Sequence, residues 1–315
     1  MGGHASGALA VWGRNGRGAY RRGPYEGVGH RPARPATYHY ERPGARRGGV
    51  MSDWRKGDWR KGDWRALAVL LAVWLPGVAR AHGWVGMGGS YYRLTQGYGR
   101  FEGLYAKGVW GEGSGTVGDW EVDHGRMFGY EESYGVVGVT QTFAPRWYGY
   151  LSLAGSTNSD VVPQGRVDAS LSYKALPDKR LVVTGGYTGM RFRDGHDDRS
   201  AWTNLTAYLP GYWVAMAGHD WATSNPGSVE AQRSFAAFGY DHSGQTELTL
   251  RYGWGTEAYL PIGAHVALVD FRSETASLTW RQWLGTDWGT DLFVERFASP
   301  YYRQTGGSIG VFYHF

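Results

Sequence analysis

The last nine residues of the chain, 307–315, constrain its fold more than any other stretch. Counting back from the carboxyl end, Phe315, Tyr313 and Val311 share one parity and form an apolar face, while the residues between them are mixed. Since side chains alternate between the faces of a strand, this pattern predicts a β-strand. An apolar face ending in aromatic rings is typical of a transmembrane β-barrel, although the last strand of a soluble β-sandwich could look the same.

Windows of about ten residues with this alternation recur from His82 to the end. In the window 165–174, Val167, Ala169 and Leu171 alternate with charged and hydroxyl side chains. Bacterial barrels have an even number of strands. Fourteen windows therefore predict an all-β fold, an antiparallel up-and-down transmembrane barrel of fourteen strands, or twelve if two weak windows are not separate strands. The windows lie near 84–94, 101–110, 117–126, 133–143, 147–156, 165–174, 181–192, 200–209, 212–221, 231–241, 246–254, 275–281, 288–297 and 306–315.

The links between these windows are expected to alternate in length. Bacterial barrels have short periplasmic turns and longer outer loops. This alternation therefore supports a barrel, and it assigns the short links to the periplasmic end and the long links to the outer end. The expected short links lie near 144–146, 176–179, 210–211, 241–244 and 286–289. The expected long links lie near 157–164, 193–199, 222–230, 256–270 and 298–305.

The amino-acid composition narrows the class of protein further. With 51 glycines, 16 tryptophans and 22 tyrosines in 315 residues, the chain indicates many strands and tight turns in one β domain. Because it contains no cysteine, a disulfide framework and a thiolate metal site are both excluded. Much of the basic charge lies in the first 65 residues, so the formal charge of +5 does not indicate a nucleic-acid partner.

The first 81 residues are expected to lie outside the barrel. Residues 1–50 are rich in Gly, Arg and Pro, which predicts disorder, a basic arm for an acidic partner, or untranslated sequence upstream of Met51. Residues 51–81 combine a basic head, the apolar run 66–75 and a small-residue exit, as in a secretory signal peptide cleaved near Ala81. The apolar run is too short for a membrane-spanning helix, which needs about 20 residues. Residues 82–315 are then the barrel.

Several runs between about Gly97 and the end of the chain resemble a known family. These runs are 97–99, 143–150, 194–200, 224–229, 248–259, 278–285 and 300–303. Taken in this order, they are similar to the YaiO-type outer-membrane β-barrel family. The resemblance implies a barrel in the bacterial outer membrane, and it supplies no catalytic residues.

The polar faces of the windows carry charges of both signs. Burying them unpaired in a dry sandwich would cost several kcal/mol for each ion. In a barrel they point inward, where they either pair with one another and fill the lumen or line a narrow water path. If they fill it, Arg251→Leu should destabilise the barrel rather than change ion selectivity. These candidate lumen residues are Arg166, Asp168, Lys174, Glu247, Arg251, Arg281, Asp291 and Glu295.

A second candidate site is the run 194–199, expected in an outer loop. Asp194, His196, Asp197 and Asp198 could bind a divalent cation or activate a water, and His219 could join them. An ordinary polar turn gives the same residue types, because Asp and Gly are common in turns. No serine or threonine lies in a motif that singles out a nucleophile.

These observations favour a non-enzymatic barrel, either a narrow or plugged pore for small solutes or a surface structural component. The alternative is an outer-membrane hydrolase or acyltransferase acting on lipid or envelope polymer at the outer rim. The expected partners are outer-membrane lipid and, through Val311, Tyr313 and Phe315 of the last strand, the machinery that inserts barrels. No cofactor and no metal are indicated.

Overall fold

The computed structural model describes residues 82–111, 115–157, 161–263 and 266–315, together with Tyr38–His39. The barrel strands are β1 (Gly83–Leu94), β2 (Arg100–Trp110), β3 (Thr116–Met127), β4 (Tyr130–Ala144), β5 (Trp147–Ser156), β6 (Gly165–Lys174), β7 (Leu181–Arg191), β8 (Asp197–Tyr208), β9 (Trp213–Asn225), β10 (Val229–His242), β11 (Thr246–Gly263), β12 (Val266–Trp283), β13 (Trp288–Ala298) and β14 (Arg303–His314). A short 3-10 turn, Pro210–Tyr212, links β8 to β9.

The fourteen strands form one closed antiparallel barrel. Each strand pairs with the next along the chain, and β14 closes the ring by pairing with β1. At the seam the Gly83 amide donates to the Phe315 carbonyl at 3.1 Å, and the Phe315 amide donates to the Gly83 carbonyl at 2.9 Å. The predicted fold class is therefore confirmed, with fourteen strands rather than twelve. In the described ranges no helix is long and apolar enough to cross a membrane.

Alternation places apolar side chains outside and polar side chains inside the barrel. In β6 the outward Leu171 is exposed and the inward Ser172 is buried. The terminal strand behaves in the same way, with Val311 and Tyr313 exposed on the outer wall and Phe312 buried inside. Aromatic rings are exposed on the outer wall at both ends, as an interfacial girdle requires. They include Tyr91, Tyr187, Trp221 and Trp254 at one end and Trp147, Trp213, Trp288 and Tyr313 at the other.

The barrel can be oriented from its longest hairpin. His82 and Phe315 lie at the same end, because an even number of strands returns the chain to its starting side. The hairpin of β11 and β12, with 18 residues in each strand, projects from the opposite end. Since bacterial barrels carry their longer connections outside, that end is the outer end, and the termini are periplasmic.

The expected alternation of link lengths is wrong, although the link expected near 157–164 has those bounds. The links expected near 222–230 and 256–270 are only 226–228 and 264–265, because the strands on either side continue through the rest. The backbone there stays paired, which satisfies its hydrogen-bonding groups better than an open loop would. The outer end is thus built mainly from extended hairpins.

Little is described before the barrel. Tyr38–His39 pairs antiparallel with Ala267 and Val266 at the tip of the β11–β12 hairpin. The predictions for residues 1–50 otherwise fall outside the described residues. The same is true of the signal peptide at 51–81.

Candidate functional site

The inward charges at the periplasmic end form one paired cluster. The Arg281 guanidinium binds the Asp291 carboxylate through two hydrogen bonds, of 2.7 and 3.2 Å. Lys107 lies 3.4 Å from the same carboxylate, although its strand, β2, is separated from β13 by two others. The guanidinium also lies 4.1 Å from the centre of the Trp84 ring and 4.6 Å from that of Phe312. These contacts tie five strands, β12, β13, β14, β1 and β2, together across the inner wall.

A second cluster lies on β6 towards the outer end. Asp168 is bound by Arg166 at 2.8 Å, by the Thr188 hydroxyl at 2.7 Å and by the Ser152 hydroxyl at 3.1 Å. The carboxylate thus receives donors from β5, β6 and β7. Such a satisfied, partly buried anion stabilises the wall and leaves little capacity for a ligand.

A third cluster joins β10, β11 and β12 in the outer half of the lumen. The Arg233 guanidinium donates to Glu257 at 3.1 Å, and the Ser273 hydroxyl donates to the same carboxylate oxygen at 2.8 Å. The ion pair is almost fully buried, with the two side chains 9% and 5% exposed. Close by, the Arg251 guanidinium lies 3.9 Å from the centre of the Phe235 ring.

The remaining candidate lumen residues also face inward. Lys174 lies 5.4 Å from the centre of the Tyr148 ring, and Glu295 accepts a 3.3 Å hydrogen bond from Gln304. Glu247 is directly opposite Arg281 in the register of β11 and β12. Other inward charges were not predicted from the sequence, because the windows that carry them alternate less regularly. Those residues are Lys107, Asp119, Glu121, Asp123, Arg233 and Glu257.

The outer mouth is crossed by the tip of the β11–β12 hairpin. On one side, Tyr259 stacks on the His196 ring of the β7–β8 link, with 3.8 Å between ring centres. On the other side, Leu260 packs in a buried cluster with residues of β1, β2 and β13. The β7–β8 link and the β1–β2 hairpin lie nearly opposite each other in a ring of fourteen strands. A strand tip that contacts both must lie across the mouth.

The cluster beside the tip is an aromatic core at the outer end. Tyr302, in the β13–β14 link, lies at the centre of this core and is 1% exposed. Its ring lies 5.1 Å from that of Tyr98 and 5.4 Å from that of Phe297. The buried members of this outer core are Tyr92, Leu94, Phe101, Leu260, Leu268, Phe271, Phe297 and Tyr302.

Asp194 fastens the β7–β8 link to the hairpin tip. Its carboxylate accepts hydrogen bonds from the Tyr259 hydroxyl and from the His196 amide at 3.1 Å, and the His196 Nδ1 atom lies 3.0 Å from it. Burial raises the pKa of the Asp194 carboxyl, but the His196 and Tyr259 hydrogen bonds outweigh burial and lower it to about 2. Asp194, His196 and Tyr259 thus form a structural latch, because the Asp194 carboxylate is already occupied by donors from the protein.

Replacing Asp194 with asparagine should loosen this latch. A neutral amide accepts weaker hydrogen bonds, so we expect a loss of about 1–2 kcal/mol in unfolding free energy at neutral pH. In the folded state the pKa of the Asp194 carboxyl is about 2, below its usual 3.8. Between pH 2 and pH 3.8 the unfolded state therefore binds more protons than the folded state. The difference between wild type and Asp194→Asn should therefore shrink as the pH falls from about 4 to about 2. Urea unfolding over this range measures it, with Asp178→Asn in an exposed periplasmic link as control.

The structure does not gather Asp197 and His219 around Asp194. Asp197 and Asp198 lie in β8 rather than in a loop, and their side chains point to opposite faces because they are adjacent in a strand. His219 lies on the outer wall of β9, where its Nδ1 atom is 2.8 Å from the Ser234 hydroxyl. The idea that it joins the 194–199 run is therefore wrong. Within the described ranges, no three His, Cys, Asp or Glu side chains are placed to hold a metal ion.

Several solved structures are similar to this chain at low sequence identity. OccK3 (OpdO) of Pseudomonas aeruginosa is 11% identical, with a TM-score of 0.42 over 76% of this chain and 96% of that one. Omp33 of Acinetobacter baumannii is 9% identical, with a TM-score of 0.46 over 75% and 99%. The monoaromatic hydrocarbon channel CymD is 6% identical, with a TM-score of 0.49 over 74% and 88%. No curated protein matches the chain.

The family comparison is more extensive. The model of the YaiO membrane β-barrel domain matches residues 83–260, which is more than half of the 315-residue chain. The matched segment runs from the start of β1 into the outer half of β11, so it includes most of the barrel wall. The protein is thus a bacterial outer-membrane barrel, and it belongs to the YaiO membrane β-barrel domain family.

Proposed function

We propose that this protein is a non-enzymatic outer-membrane barrel whose narrow lumen is plugged at its outer mouth. The observation that carries the proposal is the position of the β11–β12 tip. It is latched to the β7–β8 link through Asp194 and Tyr259, and it is packed into the outer core through Leu260. A hairpin held on both sides of the ring obstructs the passage of solutes.

The charge clusters below the mouth support the same proposal. Asp291 and Glu257 are each bound by a cation, and Arg281 also lies against two aromatic rings. Paired charges of this kind narrow the lumen and stabilise the wall, while any remaining space is lined by polar groups. A solute that passes must therefore be small, and the mouth must open before it enters.

Electrical recording tests whether the lumen is closed. The full chain, inserted in a planar bilayer, is expected to give no discrete current steps under an applied voltage. Insertion is verified independently by the difference in gel mobility between boiled and unboiled protein recovered from the same membrane. Steps that scale with salt concentration in the intact protein would contradict the proposed plug.

A further inference from the structure

A row of arginines lies on the lipid-facing wall near the outer end. Arg296 of β13 is directly opposite Thr305 of β14, Thr305 is opposite Arg93 of β1, and Arg93 is opposite Arg100 of β2. All three arginines are exposed. The row therefore sets three cations across four neighbouring strands at the outer edge of the wall.

This row has more positive charge than its neighbours neutralise. Arg100 pairs with Glu102 at 2.8 Å, whereas in the described part of the chain neither Arg93 nor Arg296 forms a salt bridge. Arg93 and Arg100 are directly opposite each other. Like charges in that arrangement destabilise a pair of strands. An anion bound between them would remove that repulsion.

A groove of about 1000 Å³ lies on the same wall just below the row. Its floor contains Gly89 and Gly307, two lipid-facing positions without side chains on the adjacent strands β1 and β14. Tyr91, Leu104 and Ile309 border it and are 53%, 70% and 64% exposed. The groove is thus a mainly apolar recess that opens towards the membrane, with the arginine row beyond its outer end. Glu102, Arg126 and Glu131 also line it, so four arginines and two carboxylates lie around that end.

We propose that the arginine row and this groove bind one phosphorylated, acylated glycolipid of the outer leaflet. The guanidinium groups hold the phosphates through paired hydrogen bonds, and one acyl chain lies in the groove over Gly89 and Gly307. Strands are spaced about 4.8 Å apart, so Arg296 and Arg100 are separated by about 14 Å along the row. That span fits a headgroup with more than one phosphate better than it fits a single phosphodiester.

The arginine half of the site is tested with a matched pair of double variants. The full chain in detergent micelles is titrated with diphosphorylated lipid A, and binding is measured by native mass spectrometry. Removing two charged donors in Arg93→Gln/Arg100→Gln should weaken binding at least about tenfold. Arg191→Gln/Arg199→Gln removes two exposed, outward-facing arginines from β7 and β8 on the far side of the barrel, and it should leave the affinity unchanged.

The groove is tested by filling it. A Cβ atom added at Gly89 would meet Gly103 and Leu104 at ordinary contact distances of 3.5 Å. Because the position faces lipid, the rest of a leucine side chain can extend into the groove, and Gly89→Leu should fold normally. It should nevertheless weaken lipid A binding at least about tenfold, because it occupies the acyl position. Gly185→Leu is the control, since Gly185 faces lipid on β7 with nothing within 4 Å of the added carbon.

The outcomes separate specific binding from general attraction. Equal weakening by the two double variants would overturn the proposal in favour of a diffuse charge effect. Equal affinity for phosphatidylglycerol would overturn the assignment to a glycolipid with several phosphates. Unchanged affinity in Gly89→Leu, with gel mobility showing a folded barrel, would overturn the acyl position. Binding weakened only by Arg93→Gln/Arg100→Gln and by Gly89→Leu supports the complete site.

Discussion

Replacing Arg233 with leucine should cost about 3–5 kcal/mol of unfolding free energy, because it leaves the buried Glu257 carboxylate without its cation. The pair is the least exposed ion pair among the described residues, and the carboxylate retains only the Ser273 hydroxyl as a neutral donor. Urea unfolding in lipid vesicles, followed by tryptophan fluorescence, measures the loss by linear extrapolation.

Two controls separate the buried charge from other effects of the substitution. In Arg233→Met/Glu257→Leu no charge remains uncompensated, so the double variant should be more stable than the single variant Arg233→Leu. At an exposed periplasmic link, Arg180→Leu breaks the pair with Asp178 and should cost no more than about 1 kcal/mol. A double variant as unstable as the single would show that the guanidinium acts through packing rather than through charge.

The barrel wall could be predicted from the sequence because one physical rule governs it throughout. Each strand between lipid and lumen has one apolar and one polar face. Whether a residue such as Leu171 or Ser172 faces lipid or lumen therefore follows from its odd or even position in the strand. The same rule placed Arg281 and Asp291 on the inward face. It could not predict that Lys107 reaches Asp291, because that contact joins strands that are separated by two others in the ring.

The structure of the outer mouth could not be predicted from the sequence, because apolar and polar side chains do not alternate there. Ala258, Tyr259 and Leu260 are consecutive and all buried, since the hairpin tip is covered on both faces. Where both faces are covered, alternation disappears and a strand resembles a loop in sequence. The segment 256–270 was accordingly expected to be a long link. Asp194 and His196 lie in a true link, but their partner Tyr259 is 65 residues from Asp194 along the chain.

Shortening the β11–β12 hairpin should convert the closed barrel into a conducting one. Glu257 and Phe271 are directly opposite in register, so an Asn-Gly turn in place of residues 258–270 can join them while keeping the pairing below. The change removes Tyr259 and Leu260, which hold the tip on its two sides, and it retains the ion pair of Glu257 with Arg233. We expect discrete current steps in a planar bilayer that scale with salt concentration.

The matched control shortens a neighbouring outer hairpin. Thr223 and Glu230 are opposite in β9 and β10, and an Asn-Gly turn can replace residues 224–229. The described side-chain hydrogen bonds of this tip, Asn225 with Asp197 and Ser228 with Asn225, reach the adjacent strand and the tip itself. This control should stay silent, since it leaves the mouth covered. If the folded β11–β12 variant were silent as well, the paired charges of the lumen would themselves block the path. The hairpin would then stabilise the outer end without acting as the plug.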